Sequence, residues 1–337
     1  MVRITTVQTP ALTISAFKQA AVRDLAWVML SPGLMEASTG ACHLVSDDWC
    51  QQTYAAHEHV LHRLDENPEP LHRYLAAQKS HRLGFYFERL LAYWLERILQ
   101  ADPFCMNVPV FQTLKVTGRK TLGEFDFLFA HQDRPLLQHW EATVKFYLYC
   151  ESEAGEARWL GPASQDRLDL KLRRMFEHQL RLAETAEGSV VAERFSALAV
   201  NASAFIKGYL FYPLDRETEV HSKHTGASPH SAFAISPAHL RGWWLRHGET
   251  ALPKRCADSR WWVLTKLSWL STACCADEKS AGLLSDAEAE QYCAQHFLHH
   301  RSALLLAELR PGADGWLEVA RGFVVAAGWP DAGRNAG

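Results

Sequence analysis

The stretch GEFDFLFAHQDRPLLQHWEATVKFYLY, Gly123 to Tyr149, limits most sharply what this chain can fold into. Its runs of Val, Leu, Phe and Tyr are strand-like, yet they carry Glu124, Asp126, Glu141 and Lys145. A carboxylate in an apolar setting costs several kcal/mol unless a partner, a hydrogen-bond network or a metal compensates it. The plain reading is that half-exposed strands alternate polar with apolar residues, so that these charges face water on one side of an antiparallel sheet. The sharper reading is a site.

Spacing bears on the choice. Residues two apart on a strand share a face, so Glu124 and Asp126 form one row, and Glu141, Thr143 and Lys145 another. If a hairpin pairs the rows, Asp126 and Glu141 meet. Two carboxylates that close shift each other's pKa unless a divalent cation lies between them, and hard oxygen ligands with a nearby amine are what a Mg²⁺ site for phosphoryl chemistry uses. The rival is a structural salt bridge with Lys145. Just upstream, Leu83, Phe87, Leu90, Leu91, Trp94 and Ile98 make the apolar stripe of a helix, and Glu88 lies on its edge, aimed at whatever that helix packs on.

The rest of the chain frames this segment. Residues 1–80 read as a helical region, with helices in SAFKQAAVRDLAWVML and DDWCQQTYAAHEHVLHRLDE that stop near Ser31-Pro32-Gly33 and Asn67-Pro68. Residues 81–212 read as a helix, three short strands, a strongly helical basic segment from Asp166, and a strand in SAFIKGYLFYP. Residues 213–337 read as a loop, which holds His221, His224 and His230, and a C-terminal extension.

With 337 residues, 48% hydrophobic, the chain can bury a large core, and its net charge of −3 leaves nucleic-acid binding to a local basic patch. Arg167, Lys171, Arg174, His178 and Arg181 recur at helical steps and offer one, although Asp166, Asp169 and Glu177 also fit a solvated face. The cysteines form no CxxC pair and read as reduced core residues. No apolar run reaches the roughly 20 residues of a membrane span, so a cytoplasmic protein without membrane contact is expected. HEHVLH is not HExxH, because position 61 is Leu, and neither a Gly-rich phosphate loop nor a GxSxG elbow occurs. The pairs Trp243-Trp244 and Trp261-Trp262 suit core packing better than base stacking.

Taken in order, Glu88, GEFD ending at Asp126, Glu141 with Lys145 behind it, and a helix carrying Gln179 resemble the PD-(D/E)XK nuclease superfamily. The wording of VRDLAWVMLSP, GEFDFLF, HWEATVKFYLY and GPASQDRLDLKL is also similar to a bacterial domain-of-unknown-function family placed in that superfamily. The resemblance implies an α/β protein with a restriction-endonuclease-like αβββαβ core, an N-terminal helical region and a C-terminal extension. It implies Asp126, Glu141, Lys145, Glu88 and Gln179 as catalytic residues. Mg²⁺ or Mn²⁺ would be held by Asp126 and Glu141 with the Ala142 carbonyl, and Glu88 and Glu124 would lie in the outer or second-metal shell. Arg167, Lys171, Arg174 and Arg181 would hold nucleic-acid phosphates, of DNA in preference to RNA.

One position departs from the pattern. The superfamily lysine stands two residues after the acid, where this chain has Thr143; Lys145 shares the strand face but starts about 6 to 7 Å further along. The expected function is a Mg²⁺-dependent nuclease that hydrolyses phosphodiester bonds of DNA or RNA. The alternative is a catalytically degenerate nuclease-fold module that binds nucleic acid or a partner protein.

Overall fold

The computed structural model describes residues 14–37, 43–77, 80, 82–114, 118–131, 134–151, 155, 157–216, 233–253 and 255–330. His221, His224 and His230 lie outside the described residues.

Local chemistry sets the helical region. Helix α1, Ala20–Leu30, stops before Pro32, and α2, Asp47–Glu66, starts where the Ser46 side chain accepts the Trp49 N–H and ends before Pro68. Helix α3 is Glu69–Ala76, and α4, Leu83–Tyr93, runs on through a π turn, Trp94–Ile98. The chain then becomes extended: β2 is Phe104–Leu114, β3 Gly118–His131 and β4 Arg134–Glu151. After β5, Ala157–Leu160, comes α5, Leu168–Arg174, which continues through a second π turn, Met175–Gln179. Helix α6, Ala186–Glu193, leads into β6, Val200–Pro213. The C-terminal third supplies β8, Leu240–Arg246, β9, Arg260–Leu264, α7, Glu278–Ala281, and α8, Asp286–His299. It ends with β11, Leu304–Gly312, and β12, Gly315–Val325.

The large sheet is mixed, in the order β2-β3-β4-β6-β8-β12-β11-β9, with β5 paired to β4 and a short β10, Cys274–Cys275, to β12. Strands β2, β3 and β4 form an antiparallel meander, β4, β6, β8 and β12 run parallel, and β11 is antiparallel to both of its neighbours, β12 and β9. A separate pair joins β1, Met35–Ala37, to β7, Phe233–Ile235.

Side-chain parity divides the molecule into three layers. On β4, Trp140, Ala142, Phe146 and Leu148 face one large core with α1 to α4, while Tyr147 and Tyr149 face a second core with Leu168, Leu172 and Met175 of α5 and its π turn. The alternation continues across the sheet. Phe205 and Phe211 of β6, Trp244 of β8, Leu305 of β11 and Phe323 of β12 join the first core, whereas Trp243, Leu306 and Val324 pack on the other face with Ala289 and Cys293 of α8. Both Trp243 and Trp261 are fully buried and meet edge to face, which accounts for them as packing. No helix of the described residues is long and apolar enough to cross a membrane.

A buried polar clasp joins distant parts of the chain and anchors α4. Asp24 of α1 accepts the Ser271 hydroxyl at 2.6 Å and the Tyr86 hydroxyl at 2.9 Å, and burial raises its pKa. Tyr86 lies two residues before Glu88 on α4.

The strands beside the candidate residues are held by a glycine. Gly208 of β6 faces Lys145 of β4 in the ladder with φ of +144°, and a Cβ there would lie 1.8 Å from the Lys145 carbonyl oxygen. Gly208→Ala is therefore expected to destabilise the protein by roughly 3 kcal/mol or more, read as a large drop in melting temperature or loss of soluble protein. A wild-type melting temperature would contradict this packing.

Candidate functional site

The β3–β4 ladder stops at one place. The two strands pair from His131↔Arg134 up to Phe127↔Trp140 and no further, so Asp126 and Glu141 are the next residues on each strand, past the last pair. On its other side β3 pairs Phe125 with Val108 and Phe127 with Met106, skipping Asn107, which takes φ of 55°. Asp126 thus stands where ladder hydrogen bonds are missing on both flanks. Its Oδ2 accepts the Ala142 N–H at 2.9 Å, a side chain standing in for the lost main-chain bond.

The splay brings the carboxyls together. Glu141, fully buried, directly precedes Ala142, whose N–H binds Asp126, so the two carboxyls are neighbours. Burial, with the Glu141 charge added, pushes Asp126 up to about 7, and burial likewise pushes Glu141 up to about 7. Glu88 arrives from α4, on the first-core side. Burial, followed by the charges of Asp126 and Glu124, pushes it up to about 7. Glu124 itself is exposed.

From the opposite face, α5 and its π turn hold Glu141. Gln179 Nε2 donates to Glu141 Oε2 at 2.6 Å, and Gln179 Oε1 accepts from Lys171 Nζ at 3.3 Å. The other Glu141 oxygen is met by His139 Nε2 at 2.9 Å. Burial lowers the His139 pKa to about 4, so the ring is neutral and Nε2–H donates, while Nδ1 is buried with no hydrogen-bond partner. His139 was open to sequence reasoning, since it stands two residues before Glu141 and shares its strand face.

Lys145 is placed elsewhere. Its ammonium engages the Asp166 carboxylate rather than the acid pair, because two steps along the strand bring it to the turn that precedes α5. Lys171, which sequence spacing groups with the basic stripe, is half-buried and bonds Gln179, the residue that holds Glu141; its charge lowers the proton affinity of Glu88, Asp126 and Glu141 alike. The remaining stripe stays outside. Arg167 pairs with Asp169, Arg181 with Glu184, and Arg174 is exposed. His57 bonds the Thr53 carbonyl and His62 approaches Glu58, which fits a helix surface. A cavity of about 520 Å³, lined by Tyr149, Glu151, Asp215, Trp244 and Arg246, lies at the far ends of β4, β6 and β8, away from the acids.

Among the described residues no group of three or more His, Cys, Asp or Glu side chains is arranged to hold a metal ion. The donor set is instead two neighbouring carboxyls at a break in the sheet. That set fits Mg²⁺, which takes one or two carboxylates and keeps waters or substrate phosphates, and does not fit an all-protein cage.

The raised pKa values have a testable sign. Folded, these acids hold their protons more tightly than unfolded, so in chelator their stabilising contribution is fully present below the ordinary values of 3.8 and 4.5 and is lost as pH rises through about 7. Melting temperature in chelator is expected to fall between pH 5 and pH 8. Asp126→Asn keeps the acceptor for Ala142 and removes the repulsion, so it is expected to flatten that fall and cost less than about 1 kcal/mol at pH 8. Destabilisation by several kcal/mol would mark a structural salt bridge instead.

Comparison with known proteins places the chain by family alone. No curated protein and no solved structure matches it. The model of a domain of unknown function, DUF1853, matches residues 23–325, nearly the whole chain, and with this coverage the protein belongs to the DUF1853 family.

Proposed function

We propose that this protein is a divalent-metal-dependent nuclease of PD-(D/E)XK type that hydrolyses phosphodiester bonds of DNA or RNA. The observation that carries the proposal is the hydrogen bond from the Ala142 N–H to Asp126, which sets Asp126 beside Glu141 at the point where β3 and β4 part. The element order supports it: α4, β2, β3, β4, α5, then β6 parallel to β4, fits the αβββαβ order of that superfamily, with the short β5 and the helix α6 added.

In this reading Asp126 and Glu141 hold Mg²⁺ or Mn²⁺. When bound, the cation supplies Lewis-acid polarisation of a phosphoryl oxygen and makes a bound water more acidic. The protein's part is orientation. The Ala142 N–H fixes Asp126, while His139 and Gln179 fix the oxygens of Glu141, so the carboxyls are set in place before substrate arrives. Glu88 and the exposed Glu124 add negative charge beside the pair. Arg174, exposed on α5, is free to meet a nucleic-acid phosphate, with DNA as the preferred polymer.

A second reading, a degenerate nuclease fold that binds nucleic acid or a protein, is favoured by one observation. Lys145, at the end of the motif, is engaged by Asp166. Calorimetric titration with Mg²⁺ and Mn²⁺ separates the readings. Binding by the wild type that is lost in Asp126→Ala, together with metal-dependent cleavage of single- or double-stranded DNA or RNA, is the expected result. Wild-type protein that binds neither cation and cleaves none of these polymers would leave the binding module.

A further inference from the structure

We infer that Lys171 is the cation that serves the acid pair, and that Lys145 is a structural residue that pins the turn before α5. The inference rests on the nuclease reading for its chemistry and on the geometry for its placement.

The turn at Lys145 is built without reference to the acids. Gly161 donates its N–H to the Asp166 carbonyl at 2.8 Å, Leu160 bridges Arg167, and Lys145 closes the arrangement by engaging the Asp166 carboxylate. That contact takes up the Lys145 charge and leads its side chain away from Glu141. A lysine so placed ties β4 to the start of α5.

Lys171 lies one turn into α5, on the side that meets the sheet. It donates to Gln179 Oε1, and the same amide donates through Nε2 to Glu141, so a hydrogen-bonded path runs from Lys171 through Gln179 to Glu141, the neighbour of Asp126. Gln179 can hold both neighbours only in this orientation, because an ammonium needs an acceptor and a carboxylate a donor. The two lysines are thus parted by their partners: Asp166 holds Lys145, and Gln179 holds Lys171.

The arrangement has a chemical consequence. An ammonium is not a metal ligand, but beside the acid pair it can stabilise charge that develops on a phosphoryl oxygen. The motif departs from its pattern at Thr143, and the missing charge comes from the helix packed over that face of β4, not from further along the strand. Gln179 acts here as a positioning residue.

The test has two arms, so that failure of the inference and failure of the nuclease reading look different. The first needs no activity: a double-mutant cycle of melting temperatures in chelator at pH 8. Lys171→Met is expected to lower the melting temperature by a few degrees in the wild type and by clearly less in Asp126→Asn, whereas Lys145→Met and Asp126→Asn are expected to be additive. Lys171→Gln, which keeps a donor without the charge, is the second variant should Lys171→Met fold poorly. Additive effects at Lys171, or coupling at Lys145 instead, would overturn the inference.

The second arm is cleavage of DNA with Mn²⁺. Loss of roughly 10²- to 10³-fold in Lys171→Met, with Lys145→Met near the wild-type rate, is expected. Normal cleavage by Lys171→Met would overturn the inference and leave the nuclease reading standing. A wild type that cleaves nothing would remove the nuclease reading, and the cycle would still decide which lysine faces the acids.

Discussion

The candidate site depends on one hydrogen bond, from the Ala142 N–H to Asp126 Oδ2. A strand that leaves its neighbour in the middle of a buried sheet exposes main-chain donors and acceptors that must find other partners. Here a side chain from one strand satisfies the other, and the departure becomes affordable at that point alone. It lets Asp126 and Glu141 meet at the head of the break, and it opens the sheet to groups from both of its faces, Glu88 of α4 on one and Lys171 with Gln179 of α5 on the other. The two helices lie in different layers, and an unbroken ladder would keep them apart.

The surrounding core explains how such a break is tolerated. Immediately next to it, Trp140 is fully buried and stacks on Phe205 at 5.4 Å, with Phe129 edge-on at 5.0 Å. Phe127, also fully buried, closes the last pair of the ladder. Large aromatic side chains on one face thus fix the strands up to the point of parting, while the polar contacts of His139, Glu141 and Gln179 continue on the other face. Burial also explains the chemistry. Carboxyls gathered in low dielectric hold protons near neutral pH, and in the proposed reading a divalent cation displaces those protons with the protein already in shape.

Much of this was legible in the sequence where local rules decide it. The Ser46 cap and Pro68 mark the limits of α2, Glu88 sits at the edge of an apolar stripe, and strand parity puts Glu141 and Asp126 on rows able to meet. The lysines show where such rules end. Parity leaves Lys145 on the same face as Glu141, but its partner, Asp166, belongs to a turn folded over the strand, and nothing in the spacing of the strand announces it. Lys171 looks like one member of a basic stripe, because helical spacing treats Arg167, Lys171, Arg174 and Arg181 alike; only packing of α5 on the sheet turns one of them inward. The C-terminal strands were hidden for a different reason. Segments such as GWWL and LLLAEL are buried on both faces, so they lack the alternation that marks a strand, and their places in the main sheet come from pairing with β6 and with each other.

The central claim is that the break between β3 and β4 is a cation site. Diffraction from crystals soaked in Mn²⁺, collected for anomalous signal, tests it most directly. The account predicts a single strong peak bounded by the carboxyl oxygens of Asp126 and Glu141, absent in Asp126→Ala. Fully soaked crystals without a peak there, and with Asp126 still bound to the Ala142 N–H beside Glu141, would contradict it.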